Sequence, residues 1–187
     1  MSGDRWLFKI TVVGDGQVGK TSLIQKFTKG SFQEEYIKTI GAQFSIYETE
    51  IDGDFCELFF WDIAGQDEFH FLRPSFYKDS KAAIIVYSLE ENDLGKNSLK
   101  HIPNWHDDIL KFCGDIPIVV FANKVDLVDK ENLVDTKILK IMKKRNFLEY
   151  YRTSAKTGEG VSQAFQTIIR ELYNKYKALF LELKSKG

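Results

Sequence analysis

The sequence predicts an α/β fold with a mostly parallel six-stranded sheet, one antiparallel edge strand and helices on both faces. Three observations support this prediction. Apolar, strand-like runs alternate with helix-like segments along the chain, which is typical of parallel sheets. A glycine-rich turn at residues 14–21 joins the first strand-like run to the first helix-like segment. The segment Asp52-Gly53-Asp54 separates two further runs and is typical of a hairpin, which places one antiparallel strand at an edge.

The first half of the chain contains three predicted strands and one predicted helix. Residues 5–13 form an apolar, β-rich run and are predicted as the first strand. Residues 20–29 follow the glycine-rich turn and have the amphipathic pattern of a helix. Residues 42–52 and 55–62 are predicted as the two strands of the hairpin.

The second half of the chain continues the alternation of strands and helices. The run AAIIVY within residues 81–88 and the run IPIVVFA at residues 116–122 predict two buried strands. Between them, residues 97–112 carry apolar side chains at the spacing of one helical face. The fold is predicted to be completed by a helix over residues 131–144, a short strand over residues 147–153 and a long helix over residues 159–183.

The composition favours a single globular domain over residues 1–187. Apolar residues make up 43% of the chain, which excludes wholesale disorder, and no linker, repeat or low-complexity tract divides it. The formal net charge of −1, from 26 basic and 27 acidic residues, gives no support for electrostatic binding to nucleic acid. We therefore expect no nucleic-acid partner. We also expect the chain to be a monomer.

Sorting and redox signals in the sequence favour a cytoplasmic protein. No apolar run reaches membrane-spanning length, and no cleavable signal peptide opens the chain. Cys56 and Cys113 lie in apolar stretches, which predicts buried thiols rather than a disulfide. Because no cysteine follows Cys113, we expect no direct lipid anchor in this chain, and contact with membranes only through a partner.

The glycine-rich turn GDGQVGKT fits the phosphate-binding pattern G-x-x-x-x-G-K-[ST]. Its glycines allow the main chain to wrap tightly, so that backbone N–H groups and the positive end of the next helix face phosphate oxygens. Lys20 supplies a charge for the outer phosphates, and the Thr21 hydroxyl is a ligand for Mg²⁺. The alternative is an ordinary turn with a solvated lysine, which the flanking strand and helix disfavour. The predicted phosphate-binding residues are Gly14, Asp15, Gly16, Gln17, Val18, Gly19, Lys20, Thr21 and Ser22.

A second loop, DIAGQDEF, follows the second hairpin strand. Asp62 ends this buried apolar strand, where its carboxylate can hold Mg²⁺ directly or through water. The backbone N–H of Gly65 can approach a γ-phosphate, and Gln66 can orient an attacking water. Alone, this pattern is equally consistent with a simple turn. Together with a phosphate-binding loop at this separation, it becomes a candidate catalytic loop.

A third loop, NKVD, predicts recognition of guanine. The carboxylate of Asp126 can accept hydrogen bonds from N1–H and the 2-amino group of guanine. Adenine offers a lone pair instead, so the buried carboxylate would lose its partner at a cost of about 1–3 kcal/mol or more. The stem of Lys124 can lie against the base, and Asn123 can tie the loop to the phosphate-binding loop. A polar turn after a strand is the alternative interpretation of NKVD alone.

The fourth loop, SAKTG, follows the last predicted strand and completes the predicted base site. We expect Ser154 to belong to this site and the backbone N–H of Ala155 to donate to guanine O6. Lys156 can cover the second face of the base.

A further magnesium ligand is predicted at Thr39, in the polar segment YIKTIG between the first helix and the next strand. A threonine there ligates Mg²⁺ only while a γ-phosphate is present. Such a contact orders the loop in the triphosphate state and releases it in the diphosphate state.

Together these motifs resemble those of the Ras superfamily of small GTPases. GDGQVGKT, YIKTIG, WDIAGQ, NKVD and TSAK occur in the order and spacing of that superfamily over nearly the whole chain. TIGAQF, WDIAGQDEF, RPSFYKDS and TSAKTGEGV are most similar to the Rab branch. The resemblance implies a P-loop NTPase fold that binds GTP or GDP with Mg²⁺. It also implies a molecular switch of the trafficking type that hydrolyses GTP slowly and signals to effectors.

The resemblance also implies roles for individual residues. Phe32 matches the aromatic residue that packs on the guanine base, and Tyr36 is expected to contact the nucleotide as well. Gly16 matches the glycine whose replacement impairs hydrolysis in the family, and Gln66 matches the water-positioning glutamine. With Lys20 they form the expected catalytic set.

The resemblance places partner recognition in the switch regions. Effectors, exchange factors and activating proteins are expected to contact the surface around Thr39, Phe44, Trp61 and Phe76. The three aromatic residues match a triad that Rab proteins present to effectors. Simple packing in the core is the alternative.

The chain departs from the family pattern at three positions and near its end. Lys38 stands where proline is frequent, which predicts a more mobile first switch. Ile63 replaces a usual threonine, and Asp67 replaces a usual glutamate, which affects recognition by branch-specific partners. The absent C-terminal cysteine predicts that membrane contact requires an adaptor.

Of three candidate functions, the sequence favours a GTPase switch. A non-catalytic GTP-binding scaffold is disfavoured by Gly16, Thr39 and Gln66, and a P-loop kinase would need an arginine-rich lid, which the sequence lacks. No arginine lies between Phe27 and Thr39, and nothing in the sequence aims Arg73 at the phosphates. We therefore expect slow hydrolysis that a partner accelerates by inserting an arginine.

Overall fold

The computed structural model of the chain describes residues 3–30, 41–65, 73–129 and 135–186. Within these ranges the strands are β1 (Arg5–Val13), β2 (Ala42–Ile51), β3 (Asp54–Ile63), β4 (Ala82–Ser88), β5 (Ile118–Asn123) and β6 (Glu149–Arg152). The α-helices are α1 (Lys20–Lys29), α2 (Arg73–Tyr77), α3 (Asp93–Cys113), α4 (Thr136–Arg145) and α5 (Val161–Lys186). The predicted α/β class is confirmed.

All six strands belong to one sheet, in the order β2-β3-β1-β4-β5-β6. β2 pairs antiparallel with β3, and every other neighbouring pair is parallel. The antiparallel strand therefore lies at an edge, as predicted. β1 lies between β3 and β4, and the helices that follow β1 and β4 in the chain pack on opposite faces of the sheet. In such sheets a ligand crevice lies beyond the carboxyl ends of the strands at this point.

Helices cover both faces of the sheet and divide the core in two. On one face α1 and α5 pack against the sheet through buried side chains such as Leu23 and Phe165. On the other face α3 packs through residues such as Ile109. Strand β4 supplies both cores, with Ile84 on the first face and Ile85 on the second, because successive side chains of a strand point in opposite directions.

The predicted starts of two helices were wrong. Helix α3 begins at Asp93 rather than at residue 97, because the side chain of Asn92 caps it by accepting a 3.0 Å hydrogen bond from the N–H of Gly95. Helix α5 begins at Val161 rather than at residue 159, because Gly160 has a left-handed backbone with φ of 68°.

Two short elements were not predicted. They are helix α2 and a 3₁₀ turn at Val125–Leu127, and both are too short to produce a hydrophobic period. Helix α4 begins at Thr136, and residues 131–134 of the predicted helix lie outside the described residues.

Neither cysteine takes part in a disulfide, as predicted. Cys56 is fully buried, but Cys113 is only half-buried, so the expectation of a buried thiol is correct for Cys56 alone. Burial raises the pKa of both thiols to about 11. In the part of the chain that the structure describes, no helix is long and apolar enough to cross a membrane.

Candidate functional site

The loop between β1 and α1 turns sharply through three residues with left-handed backbones. The φ angles are 139° at Gly14, 66° at Gln17 and 97° at Gly19. A Cβ at Gly14 would overlap the carbonyl oxygen of Val86, and one at Gly19 would overlap the side-chain amide of Asn123. These two positions therefore require glycine, whereas Gln17 adopts its conformation at a cost of about 1 kcal/mol.

The ammonium group of Lys20 lies inside this loop. Its Nζ donates to the carbonyl oxygens of Gly14 and Asp15, both at 2.9 Å, and the residue is 6% exposed. Burial lowers the pKa of Lys20, while the carboxylates of Asp62 and Asp15 oppose that shift. Because a buried cation is stabilised by nearby negative charge, the loop fits an anionic ligand such as a phosphate.

A hydroxyl and a carboxylate meet at the start of α1. Thr21, in the first turn, donates its hydroxyl hydrogen bond to the carboxylate of Asp62 near the end of β3. Asp62 is 3% exposed. These oxygens are the hard ligands that Mg²⁺ prefers, so the donor set fits this ion.

Gly65 brings the chain that follows β3 into contact with the phosphate-binding loop. A Cβ on Gly65 would overlap the backbone of Gly14, Asp15 and Gly16. The close approach leaves the Gly65 backbone beside the loop, where a terminal phosphate would lie. Four residues predicted for the site, Phe32, Tyr36, Thr39 and Gln66, lie outside the described residues, and their roles stay predictions.

Asn123, at the end of β5, connects three loops. Its Nδ2 donates to the carbonyl oxygen of Val18 at 2.8 Å, and its Oδ1 accepts from the backbone N–H of Ala155 at 3.2 Å. The residue is 2% exposed. One buried side-chain amide therefore holds the loops after β1, β5 and β6 together at one edge of the sheet.

The carboxylate of Asp126 is oriented by the loop after β6. The hydroxyl of Ser154 donates to Asp126 Oδ1 at 2.5 Å and accepts from the backbone N–H of Thr157 at 3.0 Å. Ser154 is fully buried, Asp126 is half-buried and Lys156 is exposed. The two loops predicted to bind the base are thus in direct contact.

Lys124 pairs with an acid that the sequence interpretation missed. Its ammonium lies 2.5 Å from the carboxylate of Glu90, in the loop after β4. Ligands of such sheets bind beyond the carboxyl ends of the strands, and the loop after β4 is at one of these ends. Including this loop among the candidate loops would have drawn attention to Glu90.

Helix α3 contacts the phosphate-binding loop through Asp15. The carboxylate of Asp15 bonds His101 Nδ1 at 2.7 Å and accepts from Trp105 Nε1 at 2.9 Å. The guanidinium of Arg73 stacks on Trp105 at 4.3 Å and donates to Asp108 at 3.4 Å. These side chains line a cavity of about 450 Å³ beside the loop. The spacing of His101 and Trp105 on one helical face was the available signal for this contact.

Phe44, Trp61 and Phe76 form a continuous aromatic surface. Ring centroids are 5.9 Å apart both between Phe44 and Trp61 and between Trp61 and Phe76. Phe44 is 61% exposed, while Trp61 and Phe76 are half-buried. Core packing alone does not describe this group, because its outer ring faces solvent.

Comparison with known proteins agrees with this geometry. Residues 9–174 match the model of the Ras family. This chain belongs to the Ras family. Two curated relatives from Bos taurus are each 33% identical over 172 residues, which is 91% of this chain. They are the Ras-related protein Rab-19, of which the match covers 77%, and the Ras-related protein Rab-21, of which it covers 75%.

Membership of the Ras family confirms the functional class predicted from the motifs. Proteins of this family are small GTPases that hydrolyse GTP and act as switches, and the similarity to Rab-19 and Rab-21 confirms a Rab-like member. The alternative of a non-catalytic scaffold is not favoured. Ras-family proteins bind GTP or GDP with Mg²⁺, and they interact with effectors, exchange factors and activating proteins.

Proposed function

We propose that this chain binds a guanine nucleotide with Mg²⁺ at the carboxyl edge of its sheet and hydrolyses GTP slowly as a Rab-like switch. One observation carries this proposal. The amide of Asn123 bonds both Val18 and Ala155, so that the phosphate-binding loop and the two predicted base-binding loops share one edge. A ligand with a terminal phosphate chain at one end and a purine at the other spans such an edge.

The phosphate end of the site is built by the loop after β1. Lys20 neutralises the outer phosphates, and the backbone of residues 14–22 surrounds them. Thr21 and Asp62 would hold Mg²⁺, joined by Thr39 in the triphosphate state. The bound ion supplies positive charge against the phosphate oxygens.

The base end of the site is built by the loops after β5 and β6. Asp126 accepts from the guanine edge. The backbone N–H of Ala155, which donates to Asn123 Oδ1 in the structure, would turn to the guanine oxygen when the base binds. The stem of Lys124 covers one face of the base, and Lys156 and Phe32 contact the base from other sides. The bond from Ser154 supports this arrangement because it holds the Asp126 carboxylate in place before the nucleotide arrives.

Partners contact the switch surface. The aromatic surface of Phe44, Trp61 and Phe76 lies on the strands and helix that flank the phosphate end, so it can respond to the presence of the γ-phosphate. We assign effector, exchange-factor and activator contacts to this surface and to Thr39. The chain acts as a monomer in a single domain.

Hydrolysis is slow because, among the described residues, the arginine beside the phosphate-binding loop, Arg73, is engaged by α3. Arg73 stacks on Trp105 and bonds Asp108, so α3 holds its guanidinium. In GTPases of the Ras type an arginine supplied by a partner contributes about 10³–10⁵ in rate, or roughly 4–7 kcal/mol of barrier. The chain positions the water through Gln66, with Gly65 and Gly16 leaving room beside it.

Single-turnover hydrolysis of GTP by the isolated chain tests this function. We expect phosphate release far slower than about one per second, because the transition state lacks an arginine in addition to Lys20. Gln66→Leu should slow release further while GTP binding is retained. Release at about one per second or faster without a partner would contradict the need for an external arginine. Tight GTP binding without any phosphate release would instead support a scaffold.

A further inference from the structure

We propose that Glu90 is a positioning residue of the nucleotide site, which holds the Lys124 side chain in place for the guanine base through an ion pair. The inference rests on the proposed function, because the base is the ligand that Lys124 is assigned to cover. It adds a residue from the loop after β4 to a site otherwise assigned to the loops after β1, β3, β5 and β6 and to the segment between α1 and β2. Glu90 acts through Lys124 and does not itself touch the base.

The ion pair is short and partly shielded from water. Lys124 Nζ lies 2.5 Å from Glu90 Oε2, and the side chains are 24% and 20% exposed respectively. Charge-assisted bonds of this kind are stronger than neutral ones. The pair joins the loops after β4 and β5, which are neighbouring parallel strands.

The carboxylate of Glu90 is itself held in position. It accepts from the hydroxyl of Ser88 at 2.9 Å and from the side-chain amide of Asn92 at 3.4 Å. Burial alone would raise the pKa of Glu90, but the bonds from Lys124 and Ser88 lower it, so the group stays ionised. A fixed negative charge therefore faces the Lys124 ammonium.

The backbone of Glu90 is held in place as well as its carboxylate. The N–H of Leu89 donates to the carbonyl of Asn123 at 2.9 Å, which ties the two loops together beside the ion pair. A Cβ on Gly95, in the first turn of α3, would overlap the carbonyl oxygen of Glu90. Glu90 is thus placed by a helix and two strands rather than by a loose loop.

Lys124 depends on such an anchor more than an ordinary lysine does. Its backbone is left-handed, with φ of 68°, and its side chain would otherwise sample many rotamers. Ordering a lysine side chain costs about 1.5–2 kcal/mol. If Glu90 holds the ammonium beforehand, the stem lies ready for the base and this cost is reduced when the nucleotide binds. The expected effect is on nucleotide retention and not on the chemical step.

The dissociation rate of N-methylanthraniloyl-GDP from the full chain with Mg²⁺ tests the proposal. Glu90→Gln keeps the size of the side chain but removes the charge, and its single amide oxygen can still accept from either Ser88 or Asn92. We expect dissociation to become about threefold to tenfold faster, the range for a partly shielded charge pair. The single-turnover rate with saturating GTP should not change. Glu91→Gln, the same substitution at the exposed neighbouring acid, is the matched control and should dissociate like the wild type.

Two further measurements separate positioning from a purely structural role. Raising the NaCl concentration should accelerate dissociation more from the wild type than from Glu90→Gln, because salt weakens the phosphate contacts in both proteins but the ion pair only where it is intact. Lys124→Met keeps an apolar stem without the ammonium, and adding Glu90→Gln to it should have no further effect. If Glu90→Gln does not fold, Lys124→Met alone must show the same acceleration.

The outcomes distinguish this inference from the proposed function. Wild-type rates in Glu90→Gln, or in Lys124→Met when the first variant does not fold, overturn the role of Glu90 and leave the nucleotide site intact. Equal acceleration by Glu91→Gln overturns it too, since a general charge effect would then explain the result. If the wild-type chain does not bind N-methylanthraniloyl-GDP at all, the proposed function fails with it.

Discussion

The carboxylate of Asp126, which we propose to bind the base, is oriented by neighbouring loops. Ser154 donates to one of its carboxylate oxygens at 2.5 Å, and Asn123, three residues earlier, is anchored to Val18 and Ala155. The carboxylate therefore has a defined direction before any ligand binds. A group placed in this way discriminates by the pattern of donors and acceptors that the ligand presents.

Replacing Asp126 with asparagine should change base preference. The amide presents one donor and one acceptor where the carboxylate presents two acceptors, which suits xanthine better than guanine. We expect GTP to bind about tenfold to a hundredfold more weakly, because a charge-assisted bond of about 1.5–3 kcal/mol is lost. Xanthosine triphosphate should bind more tightly than it does to the wild type. Competition between the two nucleotides measures both changes.

The control for this prediction is Asp115→Asn. Asp115 is exposed and precedes β5, whereas Asp126 follows the same strand, so the two positions lie at opposite ends of it. The control should leave nucleotide preference unchanged. An unchanged preference in Asp126→Asn would refute the placement of this carboxylate at the base.

Among the elements, long apolar runs were predictable and short or capped segments were not. β1 and α1 have the predicted bounds, because an apolar run followed by a glycine turn leaves little choice of where the strand ends and the helix begins. The start of α3 depended on a side-chain cap from Asn92, and α2 is only one turn and a half long. Neither the cap nor the short helix produces a periodic hydrophobic pattern in the sequence. The spacing of His101 and Trp105 places both on one face of α3, but it does not reveal that this face meets Asp15.

The β2–β3 hairpin is pinned to helix α5 by one buried acid. Asp54 accepts hydrogen bonds from the backbone N–H of Asp4 at 2.8 Å, Trp6 Nε1 at 3.1 Å, Tyr173 Oη at 3.0 Å and Lys177 Nζ at 2.6 Å. The Lys177 ammonium outweighs burial and, with the other donors, holds the pKa of Asp54 well below its usual range. The chain start, the hairpin and the last helix therefore share one anchor.

This anchor makes stability depend on pH. A carboxyl whose pKa is lower in the folded state stabilises the fold above its unfolded pKa of about 3.9, and that contribution is lost as the pH falls towards the folded value. We expect Asp54→Asn to unfold at a lower urea concentration than the wild type at pH 7. The difference between the two proteins should shrink progressively below about pH 4.

Asp52→Asn is the matched control for the hairpin anchor. Asp52 lies in the same turn but is exposed, and its left-handed backbone, with φ of 52°, suits asparagine. Its urea midpoint should follow that of the wild type at every pH. A wild-type pH dependence in Asp54→Asn would show that Asp54 is not the titrating anchor.

In the whole molecule, the order of the strands brings motifs that are far apart in the sequence close together in space. The loops after β1, β4 and β5 follow neighbouring parallel strands, so their carboxyl ends meet although Lys20 and Asn123 lie 103 positions apart in the sequence. The alternation of strands and helices was enough to predict that these loops lie close together. The individual hydrogen bonds between the loops, such as that from Asn123 Nδ2 to the carbonyl of Val18, were not predictable, because they depend on backbone turns that several residue types can adopt.

Because the proposed ligand contacts loops from most of the sheet, its binding should stabilise the entire fold. A ligand at 100 times its Kd adds about 2.7 kcal/mol, which raises the Tm of a chain of this size by roughly 5–11 °C. We expect this shift with GDP and Mg²⁺ in a thermal unfolding experiment. ATP and Mg²⁺ at the same concentration should produce almost none, because the Asp126 carboxylate rejects adenine. Chelation of Mg²⁺ should reduce the GDP shift. Equal shifts with ATP and GDP would show that the base end of the site does not select guanine.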